Sequence, residues 1–583
     1  GWANALGVLL SSYFSKPVEE FKQYKNSHIV FDYSNIRPKG SSLASGVGKA
    51  PGYEPLANGL EKIRALLDRC ISNGQKKLRP IDAYDIVMHS SDAVLSGGVR
   101  RSASLALFSP DDEEMAKAKT GNWYVENPQR ARSNNSALLL KNETTFEQFA
   151  ILMQSVKEFG EPGFIWSEST EMIFNPCVEI GMWPIEEASG KTGWQGCNLS
   201  TINCSSVEDE EDFYERCRAA AIIGTLQAGF TKMEYLGQTS EKIFEREALL
   251  GVSLTGTMEK HDLVLSEKTL TKGAKIAVET NKQIAKKINI NQAARVTCLK
   301  PEGTSSSMLG TSSGIHPHHA KRYIRHVQAN ILEAPYQHFK KLNPQACQKS
   351  SWSANNTDEV IKFPIEVPDG AKLRNQLPAV DMLSVVKETQ KNWVQSGKNR
   401  SLCTQEYLSH NVSNTVTVKQ DEWDSVTKYI YDNRKYFAGI SLIPQSGDKD
   451  YPQAPFTTVY TSREIVKEYG DAALWCSGLI ELGLNSFNNN LWAACDYVSM
   501  NQAKDTDDEH KIKFVTKMKN FAGKYFEGDV KRLTYCMKDV YNWKIYCDLF
   551  DSFQKVDYTQ LSETEDNTAG IEEISCAGGA CLL

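Results

Sequence analysis

Residues 28–33, HIVFDY, read as a strand, and residues 59–70, GLEKIRALLDRC, as an amphipathic helix. Between them RPKGSSLASGVGKAPG, residues 37–52, is too rich in Gly, Ser and Pro for regular structure and carries Arg37, Lys39 and Lys49, so it is a loop of cationic character. A helix over 82–95 then ends at Ser96-Gly97-Gly98, a C-cap signal, ahead of Val99-Arg100-Arg101-Ser102 and the strand candidate ASLALF. This alternation favours an α/β architecture. The pattern continues with helices over 145–160 and 208–250, a short buried strand VTCLK at 296–300, a strand NTVTVK at 414–419 and a helix over 421–436. No composition break marks a linker, and no internal repeat is present.

The chain has 583 residues, 41% hydrophobic and 24% charged, which is ordinary usage for a packed core and excludes wholesale disorder. A formal net charge of −6 offers no general attraction for a phosphate polymer or an anionic bilayer, so neither nucleic acid nor membrane is expected as a partner. No run of about eighteen apolar residues suits a membrane span. Residues 1–14 lack the basic flank of a signal peptide, and Trp2, Leu6, Leu9, Leu10 and Phe14 suit an amphipathic helix opening mid-element. The fourteen cysteines have no framework spacing, which fits reduced thiols in a cytoplasmic protein. Residues 555–575 are acidic and polar with little to bury and read as a flexible tether.

Three constellations carry chemistry. Asn175, Cys177 and Glu179 alternate in Asn-Pro-Cys-Val-Glu, so in extended backbone an amide, a thiol and a carboxylate point to one side. Such a thiol can act as a nucleophile or, given an external radical source, abstract a hydrogen atom; the same five residues also suit a buried loop cysteine. Cys197 follows a Gly-containing turn close enough in sequence to reach the same pocket. In Lys300-Pro301-Glu302-Gly303-Thr304-Ser305-Ser306-Ser307 a strand ends in a glycine and a run of hydroxyls, which suits a phosphate or a solvated helix cap and is not a P-loop. Cys576 and Cys581, on the tether, can close a small disulfide and shuttle reducing equivalents, or form half of a zinc site. His316, His318 and His319 lack acidic or Cys companions, so no metal is assigned to them.

Taken together, FDYSNIRPKG, SGGVRRSASLAL, RSNNSALL, NPCVEI, GCNL, LKPEGTSS with GIHP, and CAGGAC, in that order, resemble the adenosylcobalamin-dependent (class II) ribonucleotide reductases, most closely the monomeric ribonucleoside-triphosphate reductase type. The match spans nearly the whole chain. The class I pattern of adjacent tyrosines near the C-terminus and the class III glycyl-radical segment are both absent from this sequence.

The resemblance implies a ten-stranded α/β barrel over 1–554 with the NPCVEI loop through its centre, followed by a redox tail over 555–583. It implies that Cys177 carries a thiyl radical, that Glu179 is the base on the 3′-hydroxyl, that Asn175 holds the substrate hydroxyls and that Cys197 is one of a redox pair. Cys576 with Cys581 would re-reduce that pair, with thioredoxin as the final reductant. Gly303, Thr304, Ser305 and Ser306 would cradle the substrate phosphates. Arg37, Lys39, Gly98, Arg100, Arg101 and Ser102 would lie on the loops that sense a deoxynucleoside triphosphate effector. The family binds its cobalamin without a protein His ligand. Two departures stand out: Val178 replaces a common glycine, and the second redox cysteine of the family lies on a strand upstream of the GWANAL-like helix. An N-terminal fragment of the same enzyme is therefore expected as a partner, seated on the Trp2, Leu6, Leu9, Leu10 face.

Overall fold

The computed structural model describes residues 1–42, 50–96, 100–101, 103–233, 235–350, 358–445, 453–499, 508–559 and 561. Helix α1 (Trp2–Tyr13) turns its apolar side onto α2 (Glu54–Ser72), where Leu9 joins Leu56, Leu60, Ile63 and Leu66 in a small core. Trp2, Leu6 and Leu10 pack on the same cluster. The face expected to receive a partner is thus packed in part on α2, with Leu9 buried and Trp2, Leu6 and Leu10 half-buried. Residues 28–33 do not form a strand. They carry no ladder, and Arg64 instead holds them by donating to the Ile29 carbonyl at 2.7 Å. Helix α3 (Pro80–Ala93) ends before the Ser-Gly-Gly signal, because Leu95–Ser96 already pairs antiparallel with Arg100–Arg101.

Three parallel strands follow, β1 (Ser104–Phe108), β2 (Ser133–Leu140) and β3 (Gly163–Ser167), with α4 (Phe146–Phe159) crossing between the last two. Thr145 and Gln148 form a capping box at the start of α4, and Gly160 ends it in the left-handed conformation. A second parallel set begins with β4 (Asn198–Asn203), crosses through α5 (Glu210–Gln227) and α6 (Gly237–Glu247), and returns as β5 (Leu250–Thr255). Helix α7 (Glu267–Ile288) leads to the extended segment 295–299, bridged in parallel to β5 at Val252 and to Val412 at Leu299. Residues 411–418, ending in β6 (Thr415–Val418), run parallel to β7 (Ser441–Pro444). The two sets meet antiparallel at Ile165 and Gly439.

Eight segments are joined in this way among the described residues, where the resemblance implies ten. All six residues of β5 are buried, as expected of a parallel strand covered on both faces. At the two ends of the run, β4 and β1 are mostly half-exposed and each pairs on one side only.

Between 299 and 411 the chain inserts α8 (Gly303–Leu309) and most of a four-stranded antiparallel sheet formed by Arg322–Asn330, Cys347–Lys349, Asp358–Glu366 and Phe456–Thr458. Beyond it, α9 (Ser462–Tyr469), α10 (Ser477–Ser486), α11 (Leu491–Ser499), α12 (Glu509–Tyr525) and α13 (Val530–Ser552) surround a separate apolar core. No described helix is long and apolar enough to cross a membrane.

The docking of α1 has a direct check. Leu9 has no exposed surface, so Leu9→Ala should lower the free energy of opening the α1–α2 unit by about 2–5 kcal/mol in native-state hydrogen exchange. Unchanged protection of both helices would mean that this face contributes nothing in the chain alone.

Candidate functional site

Ile173–Phe174 pairs antiparallel with Gly181–Met182, and the residues between them make the loop that holds Asn175, Cys177 and Glu179. The loop is not extended. Val178 N–H donates to the Asn175 carbonyl at 2.8 Å, and Val178 itself sits at φ 63°, a left-handed conformation that is costly for a β-branched residue. The turn brings the amide and carboxylate together by another route than alternation. Asn175 Nδ2 donates to Glu179 Oε2 at 2.7 Å, and Asn175 Oδ1 accepts from Ile180 N–H at 2.9 Å. Cys177 lies at the apex of this closed loop.

Both parallel sets grip the loop. Asn134 on β2 donates to the Pro176 carbonyl at 2.9 Å, and Asn411 N–H donates to the Glu179 carbonyl at 2.9 Å. Val178 packs against Ile165, and a Cβ on Gly439 would stand 2.8 Å from Val178 Cγ1. Gly181 is closer still to its neighbour, since a Cβ there would lie 2.1 Å from the Ser409 carbonyl oxygen. His410 accepts from Gly181 N–H at 3.3 Å through Nδ1 and donates from Nε2 to the Leu250 carbonyl at 2.9 Å. Burial pushes its ring pKa down to about 3, which keeps it neutral, and the two hydrogen bonds set its tautomer.

Glu179 is buried, and burial raises its carboxyl above the usual range even though the Asn175 hydrogen bond pulls the other way. Cys197, just before β4, has its thiol pushed far up, first by burial and then by the Glu179 charge. Cys298, on the segment 295–299, is shifted in the same direction by burial, by Glu179 and by Cys197. A Cβ on Gly251 would stand 3.1 Å from Cys298 Sγ and 3.1 Å from Ile180 Cδ1, which places this third thiol against the hairpin. Sequence reasoning passed over Cys298; its only signal was a cysteine inside a buried strand that leads into LKPEGTSS.

An ion pair fixes the approach of Cys197. Gln195 Oε1 accepts from Trp183 N–H at 2.7 Å, and Gln195 Nε2 donates to Glu247 Oε2 at 2.7 Å. Arg295 donates to the two oxygens of Glu247 at 3.0 and 2.9 Å, and Thr404 N–H adds a bond of 3.0 Å. Burial works against the Glu247 anion, yet Arg295 brings its carboxyl down to about 2.

The Gly303–Ser306 segment opens α8. Glu302 precedes it in the left-handed conformation, accepts from Thr201 on β4 at 2.7 Å, and is also bonded by the Ser305 hydroxyl. Ser306 turns inward to the Gly303 carbonyl at 3.1 Å, Thr304 is exposed, and Arg325, which sequence reasoning missed, donates to Ser307 Oγ at 2.7 Å. The Glu302 charge reaches Glu179, so this segment and the hairpin share one electrostatic neighbourhood. Arg37 donates to the Ser42 carbonyl at 3.0 Å, and no described contact brings Arg37 or Lys39 to the hairpin. Arg100 and Arg101 are described through their backbone pairing only, while Gly98, Ser102, Cys576 and Cys581 lie outside the described residues. His316, His318 and His319 are each hydrogen-bonded within the chain, to Ser313 and Thr415, to Glu259, and to Thr458. Among the described residues no group of three or more His, Cys, Asp or Glu is arranged to hold a metal ion.

No family model matches the chain. Its backbone superposes on the crystal structure of a B12-dependent (class II) ribonucleotide reductase with a TM-score of 0.62 and 19% identity, over 79% of this chain and 65% of that one. The chain shares the fold of a class II ribonucleotide reductase. It is 25% identical over 490 residues to a probable adenosylcobalamin-dependent ribonucleoside-triphosphate reductase of Dictyostelium discoideum, covering 79% of this chain and 58% of that protein. It is also 25% identical over 503 residues to the adenosylcobalamin-dependent ribonucleoside-triphosphate reductase of Levilactobacillus brevis, covering 78% and 62%. The chain thus spans about three fifths of the length of these curated relatives. Their names are those to which the ordered motifs pointed.

Two expectations follow from the hairpin. Gly439→Ala should push Val178 out of its seat and cost about 1–3 kcal/mol in urea unfolding, and Val178→Gly in the same chain should recover most of that loss. Equal costs for the single and double variants would show that the two residues do not press on each other. The second concerns pH. Between the usual 4.5 and the raised value of Glu179 the folded chain binds more protons than the unfolded chain, so this group's contribution to stability falls as pH rises through that window. Glu179→Gln should therefore be more stable than the parent near pH 8, with the difference vanishing toward pH 4; a pH-independent difference would place the carboxyl in the ordinary range.

Proposed function

We propose that the chain reduces ribonucleoside triphosphates to 2′-deoxyribonucleoside triphosphates by thiyl-radical chemistry, with adenosylcobalamin as cofactor and thioredoxin as final reductant. The carrying observation is the 2.7 Å bond from Asn175 to Glu179 across Cys177, in a hairpin gripped by both parallel sets and within electrostatic reach of Cys197. The relatives' names support the substrate and cofactor classes. In this reading the run of strands closes as a ten-stranded barrel around the hairpin, residues 1–554 act as one catalytic unit, and 555–583 carries its redox cysteines in a cytoplasmic enzyme.

The hairpin fits a bulky radical source on one side. Residues 175–178 keep exposed surface while Glu179 and Ile180 are buried, so Cys177 is reachable where its neighbouring base is not. Adenosylcobalamin, when bound, would supply the radical that takes the Cys177 thiol hydrogen, on the side where Pro176 and Cys177 keep surface. Cys177 then takes the 3′-hydrogen of the substrate, and Glu179, whose carboxyl burial raises above its usual range, takes the 3′-hydroxyl proton. Asn175 keeps one amide proton on Glu179 and has another for a substrate hydroxyl. Cys197 supplies hydrogen as the 2′-hydroxyl leaves as water, and with a second thiol ends as a disulfide that Cys576 and Cys581 reduce, while Cys177 gives the hydrogen back to the 3′-carbon and Glu179 the proton back to its oxygen. Gly303 to Ser306 cradle the phosphates, and the loops 37–52 and 97–102 bind a deoxynucleoside triphosphate effector.

A second reading, the larger chain of a split reductase that is inactive without an N-terminal fragment, is favoured by the open edges of β4 and β1. A strand-bearing segment, on a longer chain or a separate one, would pair there and bring the second redox cysteine toward Cys197.

Cys177→Ser should abolish deoxynucleotide formation and leave nucleotide affinity nearly unchanged, since one sulfur is lost from a large core. Cys576→Ser and Cys581→Ser should spare a single turnover, stop multiple turnovers with thioredoxin and be partly rescued by dithiothreitol. Full activity of Cys177→Ser would sink the assignment, and activity only on adding the upstream segment would select the second reading.

A further inference from the structure

The helical region over 462–552 contains four cysteines that the proposed chemistry does not use, half-buried Cys547 and three that are fully buried. Cys476, Cys495 and Cys536 all lie in its apolar core with essentially no exposed surface, beside Phe514, Met518, Leu533 and Met537. Two of them touch. The side chain of Cys536, on α13, is hydrogen-bonded to that of Cys476, sixty residues earlier in the chain. Cys476 caps the start of α10, and its thiol also donates to the Ala473 carbonyl at 3.1 Å.

The two neighbours differ in chemistry. The bond from Cys536 holds the Cys476 thiol below its ordinary value despite burial, and the first turn of α10 favours negative charge on the same sulfur. Burial instead pushes Cys495 up to about 12. Cys476 is itself buried and directly follows Leu474 and Trp475, which are 60% and 68% exposed, so a peroxide reaches its sulfur only when that end of α10 opens.

We propose that Cys476 and Cys536 form a disulfide site, closed by hydrogen peroxide or another small hydroperoxide. The Cys476 thiolate attacks one peroxide oxygen, the O–O bond breaks, and hydroxide leaves and takes up a proton, so the sulfur becomes a sulfenic acid. The Cys536 sulfur then attacks it, the S–O bond breaks, and a second water leaves with the Cys536 proton. Two thiols lose two electrons and two hydrogens, and one peroxide becomes two waters. The bond ties the start of α10 to the middle of α13, the helix from which residues 555–583 continue. The inference is independent of the reductase reading.

The test is disulfide mapping of the full chain after treatment with hydrogen peroxide and blocking of remaining thiols in denaturant. Trypsin leaves Cys476 and Cys495 together in peptide 468–504, so chymotrypsin, which cuts between them, is used. The expected result is a majority of chains with the Cys476 and Cys536 peptides joined, lighter by two hydrogens and separated by dithiothreitol. The thermal midpoint of the helical region should rise by roughly 5 °C. Recovery of both cysteines as blocked thiols, while half-buried Cys547 is oxidised, would overturn the proposal, as would linkage of Cys476 to Cys495 instead.

Discussion

The carboxylate of Glu247 and the guanidinium of Arg295 meet where neither side chain keeps more than 1% of its surface. Each charge alone would be intolerable there, and removal of one leaves the other uncompensated at a cost of about 3–5 kcal/mol. Their partners make the pair structural in a wider sense. Glu247 ends α6 three residues before β5 begins, Arg295 begins the next parallel segment, and Thr404 attaches the approach to β6. Gln195 spends its amide on Glu247 and its carbonyl on Trp183, so the strand leaving the hairpin and the loop carrying Cys197 hang on one anion. The spacing of Cys177 and Cys197 is therefore set by a charge pair that touches neither thiol.

Local chemistry made much of this legible. Helix α4 could be read because its capping box and terminal glycine lie within its own residues, and α2 because its apolar spacing is regular. Of the first parallel set only β1 was legible, in ASLALF. Asn175, Cys177 and Glu179 stood out because three reactive side chain types crowd into five residues, and the structure does bring Asn175 and Glu179 into contact.

What could not be read depends on residues far away in the chain. The left-handed turn at Val178 is accommodated because Gly439, some 260 positions later, leaves room for its methyl group. His410 and Asn411 belong to no motif, yet they hold both the strand after the hairpin and the Glu179 backbone. Residues 28–33 have a strand's composition and no neighbouring strand to pair with, so composition alone misled. Cys298 is ordinary as a member of a buried strand and becomes notable only beside Glu179 and Cys197.

The junction at Ile165 and Gly439 has a mechanical meaning. Within each parallel set the segments are laced by successive ladder bonds, whereas the two sets join at one bridge and the adjoining bond from Trp166 N–H to the Ala438 carbonyl at 3.0 Å. Side chains of both sets fill one core beside this line, where Phe164 and Trp166 lie in the same apolar cluster as Ile440 and Leu442. Val178 is wedged into that line, next in the chain to Cys177. Any shift of one set against the other along this line would reach the reactive sulfur through one peptide unit, like a lever with a very short arm.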